Sequence, residues 1–333
     1  MATIKDVAAE AGVSIATVSK ILNNSSYSSE KTRAKVMAAI KKLGYQPNHI
    51  ARSMVQGKTK MIALVVPDIR NDFFTQVARG VEDIANKYDY RVILCNTDED
   101  PEKQQNYLEM LRGRIVDGLI IAPAADDDRQ LKKIDPRRLP FVFIDRVCST
   151  IQADAVVVDN RDGSYRAVGH LIRNGYRRIG IIAGKRDIFT GRERLRGYRE
   201  ALADNGIAVD EDLITDGRFT IEGGYLAMKV LLALAERPVA VFVSNYSMTI
   251  GALKALTESG LKIPQEMAVV GFDDSDWAEF FVPPLTVVRQ PTYTMGTLAG
   301  EILFQRLFES EVSERKEIFL RPELVIRKSC GTK

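Results

Sequence analysis

The 333-residue sequence predicts an α/β protein in two parts, an N-terminal head of short helices and a larger core of parallel sheets. Charge is the first indication. The first sixty residues hold ten Lys/Arg and three Asp/Glu, a net charge of +7, whereas the remaining 273 hold 37 Lys/Arg and 41 Asp/Glu, a net charge of −4. The second indication is hydrophobic periodicity, which is helical in the head and alternates between strand-like and helical in the core. A basic module on a mildly acidic body is typical of a polyanion-binding head.

Three helices are predicted in the head. The expected N-terminal caps are Thr3, Ser14 and Ser29, and glycines expected to end the first and third helices are Gly12 and Gly44. An acidic residue three positions after the first cap completes the pattern of a capping box. The apolar residues at helical spacing, which should form the core of the head, are Val7, Ala8, Ala11, Val18, Ile21, Leu22, Val36, Ile40 and Leu43.

Two short helices joined by a tight turn and braced by a third are typical of a helix-turn-helix unit. In such a unit the second helix, residues 15–22 here, enters the major groove with its N-terminus first. The side chains that would then face base edges are Ile15, Ala16, Thr17 and Lys20. On the helical pattern alone, a small bundle that binds no nucleic acid is an equal alternative.

Apolar strand-like runs recur about every thirty residues in the core, separated by helical patterns. The first series comprises residues 61–67, 91–96, 117–123 and 141–145, and the second comprises residues 178–184, 240–245 and 267–274. Continuous apolar strands between helices indicate parallel sheets covered on both faces. Two series indicate two similar α/β lobes, with a ligand cleft at the carboxyl ends of their strands.

Polar and aromatic side chains gather at or after these predicted strand ends. Carboxylates and amides accept protons from hydroxyl groups, arginines donate, and aromatic rings cover C–H faces, so the set favours a sugar. Each residue alone is more commonly a core residue or a helix cap, but their shared position favours a site. The candidate effector-binding residues are Asn71, Phe73, Phe74, Asp145, Arg146, Arg194, Phe219, Asn245, Asp273 and Gln290.

Other classes of function lack their motifs. No Gly-x-Gly-x-x-Gly turn follows the first predicted strand, and no phosphate-binding loop occurs. The two histidines, His49 and His170, are too few for a histidine-based metal site or catalytic triad, and the acidic run 126–128 is expected to be a solvated loop. The sequence has no apolar stretch that could span a membrane and no apolar export signal. Three cysteines unpaired in spacing fit a reducing cytoplasm. These features favour a cytoplasmic binding protein without enzymatic activity, metal or cofactor.

The segments TIKDVAAEAGVSIATVSKILN (Thr3–Asn23) and GYQPNHIARSM (Gly44–Met54) are similar to the DNA-binding head and hinge of the lactose/galactose repressor family. The resemblance is long and ungapped, and it continues to the end of the chain. It implies that Thr17, Ser19 and Lys20 contact operator bases and phosphates. By the same matching, the residues on the DNA backbone would be Ser14, Asn23 and Tyr45.

The resemblance also implies a hinge helix over residues 48–56, which forms on the operator and enters the minor groove. In this family an apolar residue from each of two subunits wedges into a central base step, and this chain places Met54 where the family usually has leucine. Methionine is long and apolar, so it can still act as a wedge. The other hinge contacts implied by the matching are Asn48, Ala51 and Arg52.

The core resembles that of periplasmic sugar-binding proteins and of their repressor relatives. All ten candidate effector-binding residues are similar to a ribose-type pocket. Purine-binding members resemble it less, because Ala124 and Ile188 stand where those members have a serine and an arginine. The chain departs from the family at Tyr246, where the family commonly has an aspartate after the asparagine. The resemblance therefore implies ribose, or a similar small sugar or sugar acid, as effector.

These observations together predict a sugar-responsive transcription repressor that binds a palindromic double-stranded operator as a homodimer. Its expected domains are the head (residues 1–47), a hinge helix and linker (48–60), and an effector-binding and dimerisation core (61–333). Within the core, lobe 1 should comprise about 61–159 and 290–319, and lobe 2 about 160–289 and 320–333. Control by a phosphorylated carrier protein and dependence on a corepressor are the alternatives within this family.

Overall fold

A computed structural model describes residues 2–22, 29–45, 58–309 and 314–332. The chain separates into two compact units, Met1–Thr59 and Lys60–Lys333. The first unit contains the basic head, and the second contains the α/β core. Each is considered by itself.

The head consists of three helices, α1 (Ile4–Ala11), α2 (Ile15–Leu22) and α3 (Glu30–Leu43). The predicted capping box is confirmed, because Thr3 and Asp6 exchange side-chain and backbone hydrogen bonds at the start of α1. The glycines after α1 and α3 adopt left-handed φ angles of 65° and 57°, which glycine tolerates at no steric cost. The buried residues that hold the three helices together are Val7, Ala8, Ala11, Val18, Ile21, Val36 and Ala39.

The first sheet of the core belongs to lobe 1. Its strands are β1 (Met61–Val66), β2 (Arg91–Asn96), β3 (Gly118–Ile121), β4 (Phe141–Ile144), β5 (Asp154–Val158) and β11 (Glu317–Leu320), in the order β11-β5-β4-β3-β1-β2. All the pairings described in it are parallel. Helices α4 (Asp72–Lys87), α5 (Pro101–Leu111) and α11 (Thr292–Phe308) cover it. Both faces are buried, since alternate residues of β1 enter two different apolar clusters.

The second sheet belongs to lobe 2 and repeats this strand order. Its strands are β6 (Ile179–Ala183), β7 (Ile214–Asp216), β8 (Ala240–Val243), β9 (Ala268–Phe272), β10 (Thr286–Arg289) and β12 (Glu323–Val325), in the order β12-β10-β9-β8-β6-β7. The β10–β12 pairing is antiparallel, and the other pairings described in this sheet are parallel. Its helices are α6 (Asn160–Arg173), α7 (Phe189–Asp204), α8 (Ile221–Ala233), α9 (Tyr246–Glu258) and α10 (Asp276–Phe280). The chain passes between the sheets three times, after β5, β10 and β11.

The structure confirms the α/β class and both series of strands, and it adds five strands outside those series, β5, β7, β10, β11 and β12. The expectation of a solvated acidic loop was wrong for Asp128. This carboxylate is only 9% exposed and accepts hydrogen bonds from the backbone N–H groups of Gln130 (2.7 Å) and Leu131 (3.0 Å), at the start of a short 3₁₀ helix. Within the described ranges, no helix is both long and apolar enough to cross a bilayer.

Candidate functional site

A cavity lies at the carboxyl ends of the strands, between the two lobes of the core. All ten candidate effector-binding residues lie around it. Four further residues that sequence reasoning did not single out also line it: Asp68, Glu99, Thr190 and Ser247. The cavity encloses about 380 Å³ including its open mouth, although its interior is wide enough for only about one water molecule.

One wall of the cavity comes from the start of α4. Asn71 caps this helix, and its Oδ1 accepts a hydrogen bond from the backbone N–H of Phe73 at 3.0 Å. The cap orients the first turn, where the rings of Phe73 and Phe74 meet edge to face with centroids 4.8 Å apart. All three side chains are buried. Lobe 1 therefore contributes two fixed aromatic surfaces and an amide to the cavity.

Two aspartates occupy equivalent places in the two sheets. Asp145 follows β4 and Asp273 follows β9, and their φ angles of 65° and 77° are both left-handed. Aspartate adopts this conformation more readily than most side chains. The backbone N–H of each donates to the neighbouring strand, that of Asp145 to Val156 (3.1 Å) and that of Asp273 to Val288 (2.9 Å). The duplicated topology thus presents one carboxylate from each lobe to the cavity.

Arg146 forms a nearly buried ion pair with Glu99. Its two terminal nitrogens lie 2.8 and 2.6 Å from the two carboxylate oxygens of Glu99, the bidentate geometry in which a guanidinium binds a carboxylate most strongly. Burial acts to lower the pKa of Arg146, but Glu99 and Asp145 together raise it. The guanidinium also lies 5.2 Å from the ring centroid of Phe219 in lobe 2. Glu99 therefore engages one N–H of each terminal nitrogen, whereas the Nε–H of Arg146 is buried without a hydrogen-bond partner among the described residues.

Residues of lobe 2 fix the position of the Arg194 side chain. Its Nε donates to Asn160 Oδ1 and one terminal nitrogen donates to the backbone carbonyl of Ser244, both at 2.7 Å. Its guanidinium stacks 3.8 Å above the ring centroid of Phe272. Burial lowers the pKa of Arg194, while Asp273 and Asp145 act in the opposite direction. These contacts fix the side chain without an ion-paired carboxylate, so its remaining N–H groups can serve a ligand.

The remaining polar wall comes from the ends of β8, β9 and β10. Asn245 caps α9, with its Oδ1 accepting from Met248 N at 2.8 Å. The carboxylate of Asp273 accepts from the backbone N–H of Tyr246 (3.1 Å) and from Gln290 Nε2 (2.5 Å). Gln290 Oε1 is buried without a hydrogen-bond partner within the described residues. A buried acceptor of this kind is one that a hydroxyl donor would satisfy.

Burial raises the pKa of Asp145 to about 6, and the charged neighbours have opposing effects on this pKa. Arg146 and Arg194 lower the value, whereas Asp273 and Glu99 raise it. Arg146 Nε lies 3.3 Å from Asp145 Oδ2 but lacks hydrogen-bond geometry. Desolvation is therefore the chief cause of the raised pKa of Asp145, and the two arginines only partly offset it.

The lobes also touch outside the ring of candidate residues. Lys185 Nζ donates to the backbone carbonyl of Glu99 at 3.2 Å, and Arg192 lies 3.3 Å from the carboxylate of Asp126. Lys185 and Arg192 belong to lobe 2, and their partners belong to lobe 1. Polar contacts of this kind can form and break as two lobes approach and separate.

The head presents the candidate DNA-binding residues of α2 on its surface. Ser14 caps α2, with its Oγ accepting from Thr17 N at 3.1 Å. Ile15, Ala16 and Lys20 are exposed, whereas Thr17 and Ser19 are half-buried. Tyr45 packs against the apolar core of the head. The other candidates, Asn23, Asn48, Ala51, Arg52 and Met54, lie outside the described residues, as does the predicted hinge helix.

Comparison with known proteins agrees with both parts of the chain. Residues 3–48 match the model of the bacterial regulatory proteins of the lacI family, and residues 168–330 match the periplasmic binding protein-like domain. The chain is 39% identical over 331 residues to the HTH-type transcriptional regulator RegA of Clostridium saccharobutylicum, covering 99% of each chain. It is 38% identical over 329 residues to the HTH-type transcriptional repressor PurR of Vibrio campbellii, covering 98% of each.

Solved structures of transcription regulators are also similar to this chain. The lac repressor dimer bound to operator and the anti-inducer ONPF has a TM-score of 0.86 at 28% identity, covering 99% of each chain. A transcriptional regulator CelR–cellobiose complex has a TM-score of 0.76 at 35% identity, covering 99% of this chain and 100% of that one. A putative ribose operon repressor from Burkholderia thailandensis has a TM-score of 0.73 at 34% identity, covering 80% of this chain and 98% of that one.

A helix-turn-helix head joined to a two-lobed core of the periplasmic binding type defines a transcription regulator that responds to a ligand. The chain belongs to the lacI family of bacterial regulatory proteins. It is thus a DNA-binding transcriptional repressor, and its relatives are regulators rather than enzymes.

Proposed function

We propose that this repressor is controlled by ribose or a closely related small sugar bound in the cavity between its lobes. One observation carries the proposal: carboxylates at equivalent positions of both lobes, two arginines and three phenylalanine rings surround a single cavity. Carboxylates accept hydroxyl protons, guanidinium groups donate to hydroxyl oxygens, and rings cover the C–H faces of a sugar. The likeness to a putative ribose operon repressor supports this class of ligand, and the CelR–cellobiose complex supports sugars more generally.

Binding requires a rearrangement of this cavity. Its interior has room for about one water molecule, and Glu99 already engages Arg146. A sugar must therefore enter while the lobes are further apart, or displace Glu99. The sugar acts on the head only through its different affinities for the two arrangements of the lobes. Whether it releases or tightens the operator depends on which arrangement holds the heads in place.

Isothermal titration of the full chain with D-ribose, other pentoses, hexoses, cellobiose and sugar acids tests the ligand. Asp273→Asn is the matched variant, because asparagine tolerates the left-handed φ of 77° at this position. A charge-assisted hydrogen bond contributes about 1.5–3 kcal/mol, so Asp273→Asn should weaken sugar binding by tenfold or more. Operator binding without sugar should stay near normal. Equal sugar affinity in the variant and the parent would refute this role of the cavity.

We further propose that the surface of α2 reads the operator. Lys20 is exposed on this helix and carries the charge that would meet the major groove, with Thr17 and Ser19 beside it. Lys20→Ala should weaken specific binding by about 1–3 kcal/mol, the range for a good base contact. Tyr45→Phe, a change at a residue assigned to the DNA backbone, should weaken all sequences alike. Unchanged discrimination between operator and random DNA in Lys20→Ala would contradict the placement of α2.

A homodimer is part of the proposal, because one small head makes few contacts and a palindrome presents two half-sites. Lobe 2 carries exposed apolar side chains that such a contact could cover: Leu226 and Val230 on α8 are each 54% exposed, and Phe280 and Val282 are 80% and 87% exposed. In this proposal residues 1–47 bind DNA, 48–60 form the hinge, with Met54 as its wedge, and the core responds to the sugar in the cytoplasm. Sedimentation of Leu226→Lys against the parent tests the dimer.

A further inference from the structure

The outer side of α7 in lobe 2 carries a second concavity that is lined chiefly by arginine. It encloses about 520 Å³ including its open mouth. No residue lining it also lines the cavity between the lobes. Its lining consists of Arg186, Arg192, Leu195, Arg196, Arg199 and Glu200.

Helical spacing places three of these arginines on one face, since Arg192, Arg196 and Arg199 stand at positions i, i+4 and i+7 of α7. Arg186 joins them from the segment before the helix. Four guanidinium groups and one carboxylate line the concavity. Arg192 also lies 3.9 Å from the carboxylate of its neighbour Glu193, a loose ion pair at the limit of such contacts.

The arginines are only partly neutralised by the protein. Arg196 Nε lies 3.1 Å from Glu200, and one terminal nitrogen of Arg199 lies 2.7 Å from Glu211. Within the described part of the chain, Arg199 Nε is buried without a hydrogen-bond partner, and no carboxylate forms an ion pair with Arg186. The concavity therefore offers guanidinium donors that the described residues leave unused.

We propose that this concavity binds a small phosphorylated metabolite, with the phosphoryl group held by the arginines. Guanidinium groups match the oxygens of a phosphate through two parallel hydrogen bonds, which an ammonium group cannot form. Arg186 and Arg196 are exposed and can adjust to the anion, whereas the buried side chain of Leu195 supplies an apolar surface for its carbon skeleton. The site is a second effector site, separate from the sugar cavity.

Arg192 connects this site to the arrangement of the lobes. It belongs to the concavity and also pairs with Asp126 of lobe 1 at 3.3 Å. An anion that engages Arg192 competes with Asp126 for the same guanidinium. Occupancy of the concavity and contact between the lobes are therefore linked, and each must weaken the other to the same extent.

Isothermal titration calorimetry of the full chain with sodium pyrophosphate, at low and at moderate salt and in the absence of sugar, tests the site. The double variant Arg186→Gln/Arg196→Gln should lose at least tenfold in affinity. Arg177→Gln/Arg237→Gln removes the same two charges from exposed residues of the same lobe outside the concavity and should leave affinity unchanged. Absence of pyrophosphate binding by the parent at millimolar concentration, or an equal loss in Arg177→Gln/Arg237→Gln, would overturn the proposal.

A second pair of variants tests the connection through Arg192. Asp126→Asn removes its competitor and should raise pyrophosphate affinity several-fold. Asp127→Asn is the matched control, because Asp127 pairs with Lys132 (2.5 Å) and Thr150 (3.1 Å) instead. Equal affinities in the two variants would overturn the link to the lobes. Both titrations are independent of the sugar, so a failed sugar proposal and a failed anion proposal remain distinguishable.

Discussion

Replacing Asp145 by asparagine should stabilise the protein at neutral pH while removing its response to sugar. Asp145 is 5% exposed, and burial raises its pKa to about 6. Asparagine keeps the size of the side chain and tolerates the left-handed φ of 65° at this position. The substitution therefore removes the charge without introducing backbone strain.

The size and sign of the effect follow from the pKa. The difference between the ordinary value of 3.8 and about 6 corresponds to about 3 kcal/mol of unfolding free energy. Because the folded-state pKa is raised, the stabilising contribution of Asp145 is fully present below pH 3.8 and is lost as the pH rises through about 6. The asparagine side chain does not titrate. The stability of Asp145→Asn relative to the parent should thus increase by about 2 kcal/mol between pH 4 and pH 7.

Urea denaturation of both proteins at several pH values between 3.5 and 7.5, followed by circular dichroism, measures this difference. Most of the increase should fall between the two pKa values, from about pH 4 to about pH 6. Sugar affinity at pH 7 should fall tenfold or more in the same variant, because the hydroxyl-accepting carboxylate is gone. A stability difference that does not change with pH, or that changes in the opposite direction, would refute the assignment of a buried, poorly solvated carboxylate.

Two further perturbations test other parts of the core. A Cβ atom at Gly184 would lie 2.0 Å from the ring of Phe219. Gly184→Ala should therefore displace this ring from the cavity wall and weaken sugar binding by tenfold or more. Calorimetry measures the affinity, and circular dichroism checks that the variant is folded. Burial opposes ionisation of Cys330, but hydrogen bonds from His170, Thr286 and Thr332 lower its pKa to about 6. Thiolate absorbance near 240 nm should therefore rise with an apparent pKa of about 6 and disappear in Cys330→Ala. Persistence of this step in Cys330→Ala would contradict the assignment.

The helices and most strands could be predicted because their signals are local. Caps, left-handed glycines and helical spacing in the head depend on neighbours within four residues. Long apolar runs mark the central strands, which are buried on both faces. The strand β5 was not predicted, because only nine residues and no helix separate it from β4, which breaks the expected alternation of strands and helices. The strands β7 and β11 lie at sheet edges and include polar residues, so they lack the continuous apolar run of the similarly short central strands β3, β4 and β8.

The cavity was predictable to the extent that it follows from strand ends. Parallel strands deliver their carboxyl ends to one edge, so residues such as Asp273 and Gln290 could be placed at the cleft before any geometry was known. Glu99 could not, because the segment around it has the composition of a solvated acidic turn. Its φ of 57° and its ion pair with Arg146, 47 positions away, are tertiary properties. The same holds for the arginine concavity, whose charges look like an ordinary solvated helix face in sequence.

The two equivalent aspartates show why duplicated lobes need not play equal parts. Asp273 accepts hydrogen bonds from Tyr246 and Gln290, so its carboxylate is held in place before a ligand arrives. Asp145 has its contact with Arg146 at 3.3 Å, outside hydrogen-bond geometry, and burial dominates its pKa. A sugar hydroxyl that donates to Asp145 would supply the missing hydrogen bond and favour the ionised form. The carboxylate of Asp273 in lobe 2 is thus preorganised for a ligand, whereas that of Asp145 in lobe 1 would gain a hydrogen bond from the ligand. Such an asymmetry allows a small neutral molecule to shift the balance between two arrangements of the lobes.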